Sequence, residues 1–282
     1  MGLVAAICWG VTDYLVSVNG RSLGVTRSVF YGQIIGLVIL SVIALQSSSL
    51  SSIQTADSTL LIICLVAAVL TLLGALCLTK ALTQGRTAVV APLVTSYGIV
   101  TTLLAWVGGE QLTAYQFAGI ATCAFGVMLV GLGHSNLLPQ SKRRDGPAIV
   151  FALLAAGFYG GSFWVQGKYT LPAIGPVNML WLNYCVGAIF LSLTLRRFWG
   201  RTSLTVKDCA MLSAASLFNL GGFAAFSFGV LEGAVSIVTV ISTLSGGVAA
   251  MLGYVVYRER LMPRQLLGVA LVLLGAIVLH LL

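Results

Sequence analysis

Asp13 is a carboxylate in the middle of Gly2–Asn19, an otherwise apolar stretch long enough to be a membrane-crossing helix. A carboxylate left in hydrocarbon costs several kcal/mol unless it faces a polar cavity or a partner. Helical spacing puts Trp9, Gly10, Asp13, Ser17 and Gly20 on one stripe and Val4, Ile7, Val11, Leu15 and Val18 on another. The acid therefore points into a bundle, and the apolar stripe faces lipid. There it can exchange a proton or hold a cation. The alternative is a structural hydrogen bond between helices.

At about 1.5 Å per residue, Asp13 lies roughly 16 Å below Gly2, near the midplane of a bilayer. The same counting puts Gln33, Ser96, Tyr97, Tyr159, Asn183, Tyr184, Asn219, Ser242 and Thr243 in the middle third of their apolar stretches. Buried amides and hydroxyls in lipid need partners. Gathered around one cavity, Gln33, Tyr97, Tyr159, Asn183 and Asn219 would bind a polar small molecule beside Asp13. Otherwise each bonds a neighbouring helix, and the Ser and Thr hydroxyls bond their own backbone.

Reaction chemistry has little to work with. There is no P-loop, GxSxG or HExxH, and the two histidines, His134 and His280, lie in a loop and near the C-terminus. Five of the six cysteines lie well inside apolar stretches and Cys209 lies at the edge of one, without a CxxC, so they read as small buried residues and not as a zinc site or disulfide frame. The expectation is no enzyme, no metal and no cofactor.

The elements that must position these residues follow from composition. Hydrophobic residues make up 59% of the 282 and charged residues 8%, where a soluble domain carries about 25% charge. The solvent is therefore a bilayer. The net charge of +8 sits in short loops, with no basic face interleaved with aromatics, which excludes nucleic acid as a partner. Apolar runs of crossing length occur at 2–19, 27–46, 58–80, 86–107, 113–131, 147–168, 176–196, 208–230, 233–256 and 264–281. The spacing thus predicts an all-α polytopic membrane protein with ten transmembrane helices. Of the 15 basic residues, all but Lys168 fall in the loops after odd-numbered spans. That bias puts those loops in the cytoplasm and both termini outside. A cysteine added at the N-terminus should react with an impermeant thiol reagent from outside, and one replacing Ser141 should not. The opposite pattern would overturn the orientation.

The chain also repeats itself. Glu110, Leu112, Gln116, Gly119 and Gly126 recur 149 residues later as Glu259, Leu261, Gln265, Gly268 and Gly275, and Gly85 has its counterpart in Gly233. Two five-helix units follow, 1–132 and 147–282, joined by a cytoplasmic linker at 133–146. Because five is odd, the second unit enters the membrane from the opposite side, giving an inverted repeat. With Trp9-Gly10 loosely matched by Tyr159-Gly160, and Pro92 in the fourth span, this pattern resembles the drug/metabolite transporter superfamily in its ten-helix EamA-type branch. The resemblance covers essentially the whole chain. It implies a central cavity formed by spans 1–4 and 6–9, with spans 5 and 10 packed outside. It also implies movement of small metabolites, amino acids, nucleotide-related compounds or drugs, usually without ATP. Val240 stands where the second half would carry a proline, so the ninth span should bend less than the fourth.

The expectation is a secondary transporter, an exporter working by alternating access and coupled to protons through Asp13. It would sit as a multi-pass protein in a bacterial cytoplasmic membrane, with a small molecule and the lipid bilayer as its partners. An importer or exchanger is the alternative within transport, and a non-transporting membrane sensor or scaffold is the alternative outside it. The inverted repeat argues against a scaffold, which needs none.

Overall fold

The computed structural model describes residues 1–46, 56–111, 113–132, 145–195, 204–257 and 263–281. The linker at 133–144, the basic residues from Lys142 to Arg144, and Glu259 and Leu261 of the repeat lie outside them. Among the described residues the chain is helical throughout, with no strand. The helices are α1 (Gly2–Leu23), α2 (Val25–Gln46), α3 (Ser58–Gln84), α4 (Thr87–Val94), α5 (Tyr97–Val107), α6 (Ala114–Leu132) and α7 (Asp145–Val165). A π-helical turn at Gln166–Thr170 leads into α8 (Leu171–Ile174), followed by α9 (Pro176–Leu195), α10 (Val206–Glu232), α11 (Val235–Ser242), α12 (Ser245–Tyr257) and α13 (Pro263–Leu281). Eight of the resulting segments are long and apolar enough to cross a membrane, and the 19-residue helices α6 and α13 stand at the fifth and tenth expected places.

The two halves pack around each other by a pseudo-twofold rule that glycines make visible. A methyl group on Gly10 of α1 would lie 2.9 Å from the Ser245 carbonyl of α12. One on Gly160 of α7 would lie 2.9 Å from the Tyr97 carbonyl of α5. Trp9 fills the notch at Gly222 of α10, and Tyr159 fills the notch at Gly74 of α3. Tyr184 of α9 packs into Gly36 of α2, and Gln33 of α2 packs into Gly187 of α9. The turns after α1 and α8 use Gly24 at φ 83° and Gly175 at φ 79°, a left-handed region where a β-carbon would be strained. These pairs fix three offsets: 150 residues from α1 to α7, 151 from α2 to α9, and 148 from α3–α5 to α10–α12. The remaining helices, α6 and α13, pack mainly on each other.

Several local expectations change. Glycines on the helix faces differ in use: Gly36 makes a close approach, but Gly157 has open space and Gly161 only ordinary contact with Leu70. The tight crossing of α7 uses Gly160. Leu15 is buried on the stripe otherwise assigned to lipid, while Val4 and Ile7 are exposed as expected. The ninth span is interrupted between α11 and α12 just as the fourth is between α4 and α5, although only the fourth has a proline. The hydroxyls account for the similarity. Thr95 and Ser96 donate to the carbonyls of Pro92 and Leu93, and Ser242 and Thr243 donate to those of Thr239 and Val240. Each bond runs back three residues and competes with the helical ladder. The two breaks also cross each other: Gly98 faces Thr243, and Gly246 faces Thr95 and Pro92.

The bundle has two distinguishable ends. Met1 lies against Gly229 at the end that carries the N-terminus, here the terminal face. At the other end, the loop face, Asn19 donates to the Met211 carbonyl and Arg21 donates to the carbonyls of Leu82 and Gly85 and to Thr87. Arg21 thus does more than set topology, because it clasps the turn between α3 and α4.

Candidate functional site

Spans one to four and six to nine converge on a cavity of about 890 Å³, counting its open mouth. The α1 helix contributes Trp9, Thr12, Asp13, Val16 and Asn19, so its polar stripe divides. Asp13 faces the cavity, whereas Gly10 and Gly20 are spent on packing and Ser17 bonds Thr87 at 3.1 Å. Facing them are Ser28, Gly32 and Gln33 of α2, Thr79 of α3, and Ser216 and Asn219 of α10. No described residue of α6 or α13 lines the cavity.

Asp13 is 7% exposed. No Lys or Arg is among the lining residues, and among the described residues no hydrogen bond or ion pair engages its carboxylate. A charge held there has only hydroxyls, amides and whatever enters the cavity to balance it. This arrangement suits a group that takes up and gives up a proton, or that meets a cationic cargo.

An aromatic cluster closes the cavity toward the terminal face. Trp9 stacks on Phe163 at 5.3 Å and meets Phe223 edge-on at 5.1 Å, while Phe163 lies 4.6 Å from Phe226. Tyr97 reaches Phe163 at 5.1 Å and keeps its hydroxyl 2.9 Å from Ser242. Tyr159 also stacks on Phe163, at 5.8 Å. In the opposite direction the walls run to Asn19, Ser28, Thr79 and Leu212, all near the loop face.

Five of the six expected site residues share this cavity: Asp13, Gln33, Tyr97, Tyr159 and Asn219. Asn219 donates to the Tyr184 hydroxyl at 3.1 Å, and the Gln33 carbonyl oxygen is buried without a hydrogen bond among the described residues. Asn183 lies elsewhere. It is 5% exposed, is not among the lining residues, and donates to Gln166. Midplane depth does not reveal which side of its helix meets the cavity, and on α9 that side carries Tyr184. Thr12, Asn19, Ser28, Thr79 and Ser216 line the cavity as well, although none stands out by depth in the sequence. Asn19, three residues beyond Val16 on the stripe Trp9–Thr12–Val16, was the one with a periodic signal.

Replacing Asn219 or Gln33 by Leu keeps volume and removes hydrogen bonding. Each change should weaken cargo binding by about ten- to a hundredfold, the effect of about 1–3 kcal/mol for one lost bond. Asn183→Leu should instead lower the melting temperature, since an interhelical bond of this kind is worth about 0.6 kcal/mol on average. Titration and thermal melting of each variant separate the two outcomes. A set in which Asn219→Leu and Gln33→Leu lose only stability would remove both from the site.

The profile of the EamA-like transporter family matches residues 1–132 and 147–281, one stretch in each half. The chain belongs to the EamA-like transporter family. In fold, it is similar to a solved crystal structure of a protein at TM-score 0.72 and 15% identity, covering 99% of this chain and 96% of that one. No curated protein matches it. As an EamA-like protein it is a multi-pass membrane protein with a transporter fold.

Proposed function

We propose that this EamA-like protein is a secondary transporter that exports a small polar molecule by alternating access, with proton movement coupled through Asp13. The observation that carries the reading is a single carboxylate in a cavity built by both repeats, with no Lys or Arg among the described residues that line it. A static scaffold has no need of such a cavity. The cavity's reach toward the loop face, where the sequence concentrates its cations, supports loading from the cytoplasm. Hydroxyls and amides on the wall favour a cargo that donates and accepts hydrogen bonds, and Asp13 favours one with an amine or another positive group.

A thermal-shift screen of metabolites and drugs identifies ligands, and flux of the hits into liposomes carrying the purified protein tests function. With a pH gradient imposed across the liposome membrane, the cargo should accumulate against its own gradient. Flux that is indifferent to the pH gradient would remove the proton-coupling reading.

A further inference from the structure

The three offsets that relate the halves also carry the cavity wall onto a second place in the molecule. Thr12 maps to Ser162, Val16 to Gln166, Gly32 to Asn183, Asn219 to Thr71, Thr79 to Ser227 and Leu212 to Cys64. These counterparts lie together on the terminal-face side of the aromatic cluster, and they are packed shut. Ser162 and Gln166 are each 0% exposed and Cys64 is 1% exposed. Ser162 lies 2.7 Å from the Thr71 hydroxyl and 2.9 Å from the Ala67 carbonyl, to which it donates. Gln166 donates to Ser162 at 2.8 Å, and Asn183 donates to Gln166 at 3.4 Å.

We infer that Cys64, Thr71, Ser162, Gln166, Asn183 and Ser227 line a second vestibule, closed in this state, through which the cargo leaves on the terminal face. Apolar residues would seal such an interface at lower cost, because each polar group buried from water needs a partner. Two such groups lack one: the Asn183 carbonyl oxygen and the Ser227 hydroxyl are buried without a hydrogen bond among the described residues. Hydrogen bonds that join the walls of a closed vestibule can be exchanged for bonds to water and cargo when it opens. The counterpart of Asp13 is Phe163, so this second site is neutral. It takes the hydrogen-bonding groups of the cargo and offers no counter-charge, which favours release.

The inference rests on the alternating-access reading, and its test is separable from it. Cys64 is kept as the only thiol by replacing Cys8, Cys77, Cys123, Cys185 and Cys209 with Ala or Ser, and flux is measured in the same preparation. A membrane-impermeant methanethiosulfonate should label Cys64 from the terminal face. Gly32→Trp puts an indole into the open cavity, where the nearest atom to a new β-carbon is the Ser216 hydroxyl at 3.8 Å. It should prop the cavity open and slow Cys64 labelling by about tenfold or more. The same substitution should leave Leu212→Cys at least as reactive from the loop face. Ser216→Trp is the second wedge, used if melting shows that Gly32→Trp does not fold. Flux without any Cys64 labelling, labelling from the loop face only, or labelling that neither folded wedge slows would overturn the vestibule. Absence of flux for every bound ligand would instead overturn the transport reading.

Discussion

Asp13→Asn is expected to insert, fold and melt close to wild type, yet to lose all accumulation of cargo driven by a pH gradient. The substitution keeps the shape of the side chain and its ability to hydrogen-bond, and removes its charge and its proton exchange. No hydrogen bond or ion pair among the described residues engages the carboxylate, so no folded-state partner is stranded by the change. Exchange of cargo for cargo, which needs no net proton movement, should fall much less than gradient-driven uptake. The measurement is both fluxes in liposomes made from the same preparation. A variant that couples to the pH gradient as well as wild type would place the coupling outside Asp13 and leave that residue a structural one.

The second large effect concerns stability, and its sign decides the matter. Alanine is a better helix former than glycine by about 1 kcal/mol, so Gly→Ala inside a helix should stabilise where space allows. At Gly157, with nothing within 4 Å of the new methyl group, it should raise the melting temperature or leave it unchanged. At Gly10 and Gly160 the methyl group would lie 2.9 Å from a backbone carbonyl of the facing helix. A carbonyl within a helix cannot swing aside as a side-chain tip can. Overpacking there should cost about 1–3 kcal/mol, well above the gain in propensity. The effect should be similar at the two sites, because they are the same crossing in the two repeats. Melting curves for the three single variants check this. Stabilisation at Gly160 would mean that the symmetric crossings are looser than described.

Most of the architecture was legible because membrane solvation makes sequence unusually explicit. Apolar runs of crossing length gave the helices, and the recurrence of Glu110, Gln116, Gly119 and Gly126 gave the repeat. Asp13 stood out because a carboxylate in an apolar run requires a reason. The direction of individual side chains was harder to read. Asn183 and Tyr184 are neighbours at the same depth, but one belongs to a closed interhelical network and the other to the cavity wall. Only the rotation of α9, set by the fit of Tyr184 against Gly36, separates them. The break between α11 and α12 was hidden for a related reason. Serine and threonine hydroxyls give no sign in the sequence of whether they bond their own backbone, and here they interrupt the helix where a proline was expected to be needed.

The central claim is that cargo passes through the protein and does not merely bind to it. The most direct measurement is counterflow. Liposomes containing the purified protein are loaded with unlabelled cargo found by thermal shift, then diluted into a trace of the same compound carrying a label. The account expects transient accumulation of label above its outside concentration. Protein-free liposomes should show none, and Gly32→Trp should abolish it by holding the cavity open. A ligand that raises the melting temperature but never enters loaded liposomes would contradict transport and make the chain a membrane sensor.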